Sequence, residues 1–279
     1  MAIRTVATIY TDPALDTGAL AAAETVARRE DAHLDVLCIG LDRTQPGVYY
    51  AGANATIIQD NLAKANEDTA RLESEIRDRL RTADFNWSAT GISSQMIALN
   101  GLIAHRTRFS DLVVLPMPYA KDRGHEAEAI AEAALFNASV PVLVQPDDME
   151  FPEAIDTVMI AWNESAEALR AVRAAMPFLQ RAKQVNITIV DPPQHGPDRS
   201  DPGGGLSQML SRHDIRAEVS VLSKTLPQIS DVLLRHARDI DADMVVMGAY
   251  SHSRFRESLF GGATRYMLER AHLPLFMAH

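Results

Sequence analysis

The chain of 279 residues contains an internal repeat, which restricts its fold more than any other feature of the sequence. Three pairs of segments align in the same order: Ile3–Tyr10 with Ile155–Trp162, His105–Pro116 with His236–Gly248, and Val140–Leu143 with Leu273–Phe276. The second pair requires a gap of one residue. Three matches in one order predict a duplicated domain.

The seam between the two copies is Gln145–Pro152, a polar stretch bracketed by prolines. Because proline continues neither a helix interior nor a central strand, the chain is expected to change domain here. We therefore predict one domain over residues 1–147 and a second over residues 153–279. Each is long enough to bury a core without disulfides or a structural metal.

Short β-branched runs alternate with longer helical patterns within each copy. This alternation predicts an α/β fold of two tandem Rossmann-like domains, each a five-stranded parallel sheet flanked by helices. The predicted strands are Thr5–Ile9, Leu34–Ile39, Trp87–Thr90, Leu112–Leu115, Val142–Val144, Thr157–Ala161, Val185–Val190, Ala217–Val221, Met244–Met247 and Leu275–Met277. The predicted helices are Ala14–Arg29, Ala55–Thr82, Ser94–Thr107, Glu126–Asn137, Ala166–Gln180, Gln228–Arg238 and Ala263–Ala271. No strong helix is predicted between the second and third strands of the second copy. The composition of Pro192–Gly205 predicts a mobile loop there instead.

The overall charge and the single cysteine exclude several classes of function. A net charge of -10 and a pI near 5.4 disfavour sequence-independent binding to nucleic acid. No apolar run approaches the ~18 residues of a membrane span. Cys38 is the only cysteine, so an intrachain disulfide and a thiolate zinc site are excluded, and we expect it buried in a strand. A cytoplasmic protein is the expectation.

The segment after the predicted strand Met244–Met247 combines the groups of an anion site. Gly248 permits a turn at the strand end, and Gly261 and Gly262 let main-chain N–H groups approach an anion. The helix that follows would direct its positive dipole end to the same place. Side chains that could donate hydrogen bonds nearby are Ser251, Ser253, Arg254, Arg256 and Thr264. An alternative, in which these glycines only permit a tight turn and helix packing, stays open.

This pattern resembles the universal stress proteins in their tandem two-domain form. Nucleotide-binding members carry glycine, two residues, glycine, nine residues, then glycine followed by Ser or Thr. Gly248 and Gly261 match this spacing, whereas Ser251 replaces the second glycine. Gly262 stands where Ser or Thr is expected, with Thr264 two residues later.

The resemblance implies an adenine nucleotide alpha hydrolase-like fold that binds ATP or a related adenine nucleotide, with magnesium, in the second copy. Asn163 stands where the family has an adenine-binding aspartate. The cofactor-binding residues that we expect are Asn163, Val190, Gly248, Ser251, Gly261, Gly262 and Thr264. The resemblance also implies an intramolecular pseudo-dimer in which the fifth strands pair, and it leaves a homodimer open.

The first copy departs further from the family pattern. Pro116 and Pro118 lack the N–H donors that a phosphate needs, and Glu126, Glu128 and Glu132 would repel it. We therefore expect one nucleotide site at most, in the second copy. The first copy would then be a structural or regulatory partner.

The sequence carries no recognisable catalytic motif. It lacks a G-x-S-x-G elbow, a G-x-G-x-x-G turn and a Walker lysine loop, and its histidines lack metal-ligand spacing. We therefore expect a stress-associated binding protein with no catalytic or metal-ligating residues. The alternative, favoured by Ser251, Gly262 and Asn163, is a protein that binds no nucleotide and acts through association surfaces. Tyr10 and Trp162 could stack on a base or pack at the sheet end.

Overall fold

The computed structural model of the protein describes residues 2–42, 55–192, 201–249 and 262–279. The α/β class predicted from the repeat is confirmed, since strands and helices alternate in both copies. The chain divides into two compact units, Ile3–Val140 and Pro141–His279.

The described part of the first unit has parallel strands in the order β3-β2-β1-β4. These are β1 Thr5–Tyr10, β2 His33–Asp42, β3 Trp87–Gln95 and β4 Leu112–Pro116. Helices connect the strands, as a right-handed βαβ arrangement requires. They are α1 Pro13–Glu30, α2 Ala55–Leu80, α3 Met96–Thr107 and α4 His125–Glu132, which continues as a π-helix over Ala133–Asn137.

The described part of the second unit repeats this order as β8-β7-β6-β9, with β10 beside β9. Its strands are β5 Val142–Gln145, β6 Thr157–Ala161, β7 Gln184–Val190, β8 Ala217–Leu222, β9 Met244–Gly248 and β10 Leu275–Ala278. Its helices are α5 Ala166–Ala174, α6 Met176–Leu179, α7 Gly204–Ser211, α8 Ile229–Asp239 and α9 Gly262–Arg270.

The predicted pairing of the fifth strands is confirmed. β5 runs antiparallel to β10, with Val142 opposite Met277 and Val144 opposite Leu275, and all four residues are buried. Because of this pairing β5 belongs to the second compact unit, which begins at Pro141, ahead of the proline-bracketed seam. The domain limits at residues 147 and 153 stay a prediction.

Two aligned aspartates, Asp111 and Asp243, make equivalent hydrogen bonds in the two units. The Asp111 carboxylate accepts hydrogen bonds from the backbone N–H groups of Arg4 at 2.8 Å and Thr5 at 3.0 Å. The Asp243 carboxylate does the same for Asp156 and Thr157, both at 2.8 Å. In each unit a carboxylate therefore satisfies the donors at the start of the first strand, as the aligned segments imply.

The prediction that no strong helix follows β7 is wrong in part, because α7 begins at Gly204. Gly203 has a φ of +89°, which favours glycine and lets the chain turn into the helix. Leu206 and Leu210 then bury one face of α7. Residues 193–200 of the predicted loop lie outside the described residues.

Among the predicted helices, two differ from the observed ones in ways that single residues explain. The helix expected over Ala166–Gln180 is divided into α5 and α6, because Pro177 has no N–H to continue the hydrogen-bond ladder. The helix expected from Ser94 begins at Met96, because Ser94 and Gln95 still pair with β2 as part of β3.

Cys38 is expected to resist alkylation in the native protein. It is fully buried in β2, and burial, followed by the nearby Glu73 carboxylate, raises the pKa of its thiol to about 12. Because the thiolate is the reactive form, iodoacetamide at pH 8 should modify the urea-unfolded chain and leave the folded chain unmodified. Mass spectrometry measures this, and rapid labelling of the folded protein would contradict the burial. Because the folded state favours the neutral thiol, the contribution of Cys38 to the free energy of unfolding is fully present below pH 9. This contribution is lost as the pH rises towards 12.

Candidate functional site at the switch point of the second unit

The strand order of the second unit creates a crevice at the carboxyl ends of β6 and β9. The chain runs from β6 outward to β7 and β8, then returns to the other side of β6 as β9. In open parallel sheets, ligands bind at such a reversal of strand order. Asn163 follows β6, Val190 ends β7 and Gly248 ends β9, so the fold brings these three predicted residues to one edge.

Asn163 shapes the turn between β6 and α5. Its side-chain oxygen accepts the backbone N–H of Ser165 at 3.2 Å, which is an Asx turn. The Ser165 hydroxyl in turn caps α5 by accepting the Ala168 N–H at 3.1 Å. An aspartate at position 163 could accept the same hydrogen bond, so the residue that the family carries here would fit this turn.

Gly248 lies directly against the first turn of α5. A Cβ atom at this position would lie 2.5 Å from the backbone N of Ala168 and 2.9 Å from the backbone C of Glu167. Real Cβ atoms essentially never approach other heavy atoms within 3.0 Å. The glycine therefore permits close packing of strand and helix, which is the alternative that the sequence left open.

The amino end of α9 lies at this same edge by topology, since α9 connects the carboxyl end of β9 to the start of β10. Gly262 is the exposed first residue of α9, and Thr264 is buried in its first turn. The φ of Gly262 is not in the positive region, so the backbone conformation there does not require glycine. The nearest described atom to a Cβ at Gly262 would be Tyr266 Cε2, at an ordinary 3.9 Å.

Electrostatics distinguishes the two helix ends at this edge. The first turn of α5 contains Glu167, which disfavours an anion there. The first turn of α9, all of it described, has no acidic residue, and Arg265 follows directly. An anionic group at the crevice is therefore better placed at α9.

Ser251 and Gly261 lie outside the described residues, as do Ser253, Arg254 and Arg256. Tyr10 is almost fully buried at the end of β1, and its hydroxyl donates to Glu75 Oε1 at 2.9 Å. Packing at the sheet end is therefore the correct alternative for Tyr10.

The first unit contains a cleft that the sequence did not reveal. It encloses about 480 Å³ at the carboxyl ends of β1 and β2. Its charged lining residues are Asp12, Asp42, Lys64, Asp68 and Arg71. Arg71 pairs with Asp68 at 3.1 Å, so part of the positive charge is already neutralised. These side chains come from elements separated in sequence, and no motif links them.

Within the described ranges, no group of three or more His, Cys, Asp or Glu is arranged to hold a metal ion. Also within them, no helix combines the length and the apolar character needed to cross a lipid bilayer.

The second unit is thus a Rossmann-like α/β domain with a crevice of the ligand-binding type at its switch point. Residues 154–279 match the family model described as the universal stress protein family. The similarity to this family therefore lies in the C-terminal unit.

One relative and two solved structures are also similar to the chain. The universal stress protein Slr1230 of Synechocystis is 24% identical over 136 residues, which are 48% of this chain and 45% of that protein. This chain therefore aligns with less than half of that relative's length. A universal stress protein structure from Archaeoglobus fulgidus has a TM-score of 0.73 at 14% identity, covering 98% of this chain and 95% of that one. A structure of a putative universal stress protein from Pseudomonas aeruginosa has a TM-score of 0.63 at 14% identity, covering 99% of this chain and 93% of that one. At this low identity, the two structures show a similarity of fold alone.

Proposed function

We propose that the protein is a stress-associated binding protein that holds an adenine nucleotide, such as ATP with magnesium, in its C-terminal unit. The observation that carries this proposal is the convergence of Asn163, Val190 and the amino end of α9 on the switch-point crevice. The family model matches the same half of the chain. The protein acts by binding and not by catalysis, as a cytoplasmic protein without nucleic-acid or membrane partners.

The geometry suggests how the nucleotide is oriented. The base lies near Asn163 and Val190, where the turn after β6 faces the end of β7. The phosphates lie at the amino end of α9, because Glu167 disfavours negative charge at α5. Exposed Gly262 leaves room there for close approach of a phosphate to the backbone.

A specific observation favours the second candidate, a protein that binds no nucleotide and acts through association surfaces. The close contact with Ala168 is by itself enough to require glycine at position 248. This match to the family pattern therefore needs no ligand to explain it. Small molecules released by denaturing the purified protein distinguish the two candidates. An adenine nucleotide found by mass spectrometry would support the first.

Gly262→Val is expected to weaken ATP binding between about fivefold and a hundredfold, which corresponds to a loss of ~1–3 kcal/mol. Among the described residues an added Cβ makes only ordinary contacts, with the Tyr266 ring at 3.9 and 4.0 Å, so it should obstruct the phosphates without disturbing α9. Asn163→Asp is expected to strengthen binding, because it introduces the family's residue and can keep the hydrogen bond to Ser165. Calorimetric titration with ATP and magnesium measures both changes.

The matched control is Gly124→Val in the first unit. The three described atoms nearest to its added Cβ belong to the carboxylate of Glu126, in the first unit, so binding should equal that of the wild type. Tight binding unaffected by Gly262→Val would place the ligand elsewhere. An absence of binding heat in the wild type, with no nucleotide released on denaturation, would favour the association candidate.

A further inference from the structure

A buried ion pair lies at the crevice of the first unit. Arg123 Nη1 donates to Asp16 Oδ1 at 2.9 Å, and the two side chains are 3% and 4% exposed. Arg123 Nη2 also donates to the carbonyl oxygen of Leu15. Asp16 lies in the first turn of α1, whereas Arg123 comes from the loop between β4 and α4. The pair therefore joins the two loops that border the switch point of this unit.

The second oxygen of the same carboxylate fills the turn between β1 and α1. Asp16 Oδ2 accepts the backbone N–H of Thr11 at 2.7 Å, the Thr11 hydroxyl at 2.9 Å and the backbone N–H of Asp12 at 3.0 Å. Converging N–H and O–H donors at a helix amino end are an arrangement that binds anions. We name the Thr11 and Asp12 donors, together with Arg123 Nη1, the anion cradle.

The second unit lacks this arrangement at the equivalent positions. Counted from the strand registers, the counterpart of Asp16 is Ala168, and counted from the helix N-caps, Asp12 and Ser165, it is Leu169. Neither residue has a carboxylate. Gly248 is the counterpart of Pro116 and lets β9 approach the backbone of Ala168 directly. The carboxylate is thus present in the unit whose strand end is a proline and absent from the unit whose strand end is a glycine.

We propose that Asp16 is the resident anion of the first unit, and that its carboxylate closes the anion cradle to external anions such as phosphate. The carboxylate is attached to the chain and neutralised by Arg123, so a free anion would have to displace a covalently tethered competitor. This inference does not depend on nucleotide binding by the second unit. It assigns Asp16 and Arg123 as the residues that exclude phosphate-bearing ligands from the first crevice.

Formate tests the proposal, because Asp16→Ala removes the carboxylate group that formate supplies. The variant leaves Arg123 buried without its carboxylate, so its thermal midpoint should fall by roughly 5 to 10 °C. Added formate, at constant ionic strength, should raise this midpoint in a saturable manner and leave that of the wild type unchanged. Inorganic phosphate is the second probe and should show whether the opened cradle accepts a larger anion.

Two control variants separate anion binding from a general salt effect. Asp16→Ala combined with Arg123→Leu removes the cation, and Asp16→Asn keeps a side chain within the cradle, so neither should respond to formate. If Asp16→Ala does not fold without an anion, its refolding yield from urea is measured against formate concentration instead. Equal responses of all variants, or no response of Asp16→Ala, would overturn the proposal.

Discussion

Gly248→Ala is expected to lower the free energy of unfolding of the second unit by about 3 kcal/mol, because overpacking against backbone cannot be relieved by a change of rotamer. The added Cβ would lie 2.5 Å from the Ala168 nitrogen, so β9 and α5 must move apart. That movement would disturb the cap in which the Ser165 hydroxyl accepts the Ala168 N–H. Urea unfolding gives the magnitude, and hydrogen exchange at β9 and α5 locates the change.

Gly262→Ala is the matched control in the same unit. Among the described residues its Cβ would meet only the Tyr266 ring, at 3.9 and 4.0 Å, and its φ suits any residue, so stability should change by less than about 0.5 kcal/mol. If Gly248→Ala proved as stable as Gly262→Ala, the close contact between β9 and α5 would be wrong. Ligand binding would then be the remaining explanation for the glycine at position 248.

Gly40→Ala is expected to destabilise the first unit at least as strongly, by about 3 kcal/mol or more. Gly40 lies in β2 beneath α2, where an added Cβ would meet the backbone oxygen of Ala65 and the hydroxyl of Thr69. That hydroxyl accepts the Gly40 N–H at 3.1 Å and donates to the Ala65 oxygen at 2.7 Å. The substitution would therefore push α2 away and break both hydrogen bonds, which urea unfolding would detect.

Gly18→Ala provides the contrast, since beyond the adjacent residues and the local backbone of α1 no described atom lies within 4 Å of the added Cβ. Gly18 lies inside α1, so alanine should raise stability by about 0.5–1 kcal/mol through its better helix propensity. A loss of stability in Gly18→Ala equal to that in Gly40→Ala would show that glycine replacement itself, and not the contact with α2, is responsible.

The sequence by itself determined the features that depend on local pattern and on the repeat. Alternating β-branched and helical segments predicted the α/β class, and the aligned segments predicted equivalent strand order in both copies. Asp111 and Asp243 follow the same reasoning, because aligned residues on equivalent strands meet equivalent backbone donors. The burial of Cys38 was also predictable, since an apolar run in a parallel sheet is covered on both faces.

Only the tertiary structure decided which residues of distant segments meet. Arg123 and Asp16 are 107 residues apart, and no local pattern indicates that they form a buried pair. Gly248 resembles a ligand residue in the sequence, yet its contact with Ala168 alone requires a glycine. Gly40 is required because α2 crosses it, whereas its counterpart after β7, Asp191, carries a side chain. Such contacts depend on how closely two elements pack, and local periodicity does not specify that distance.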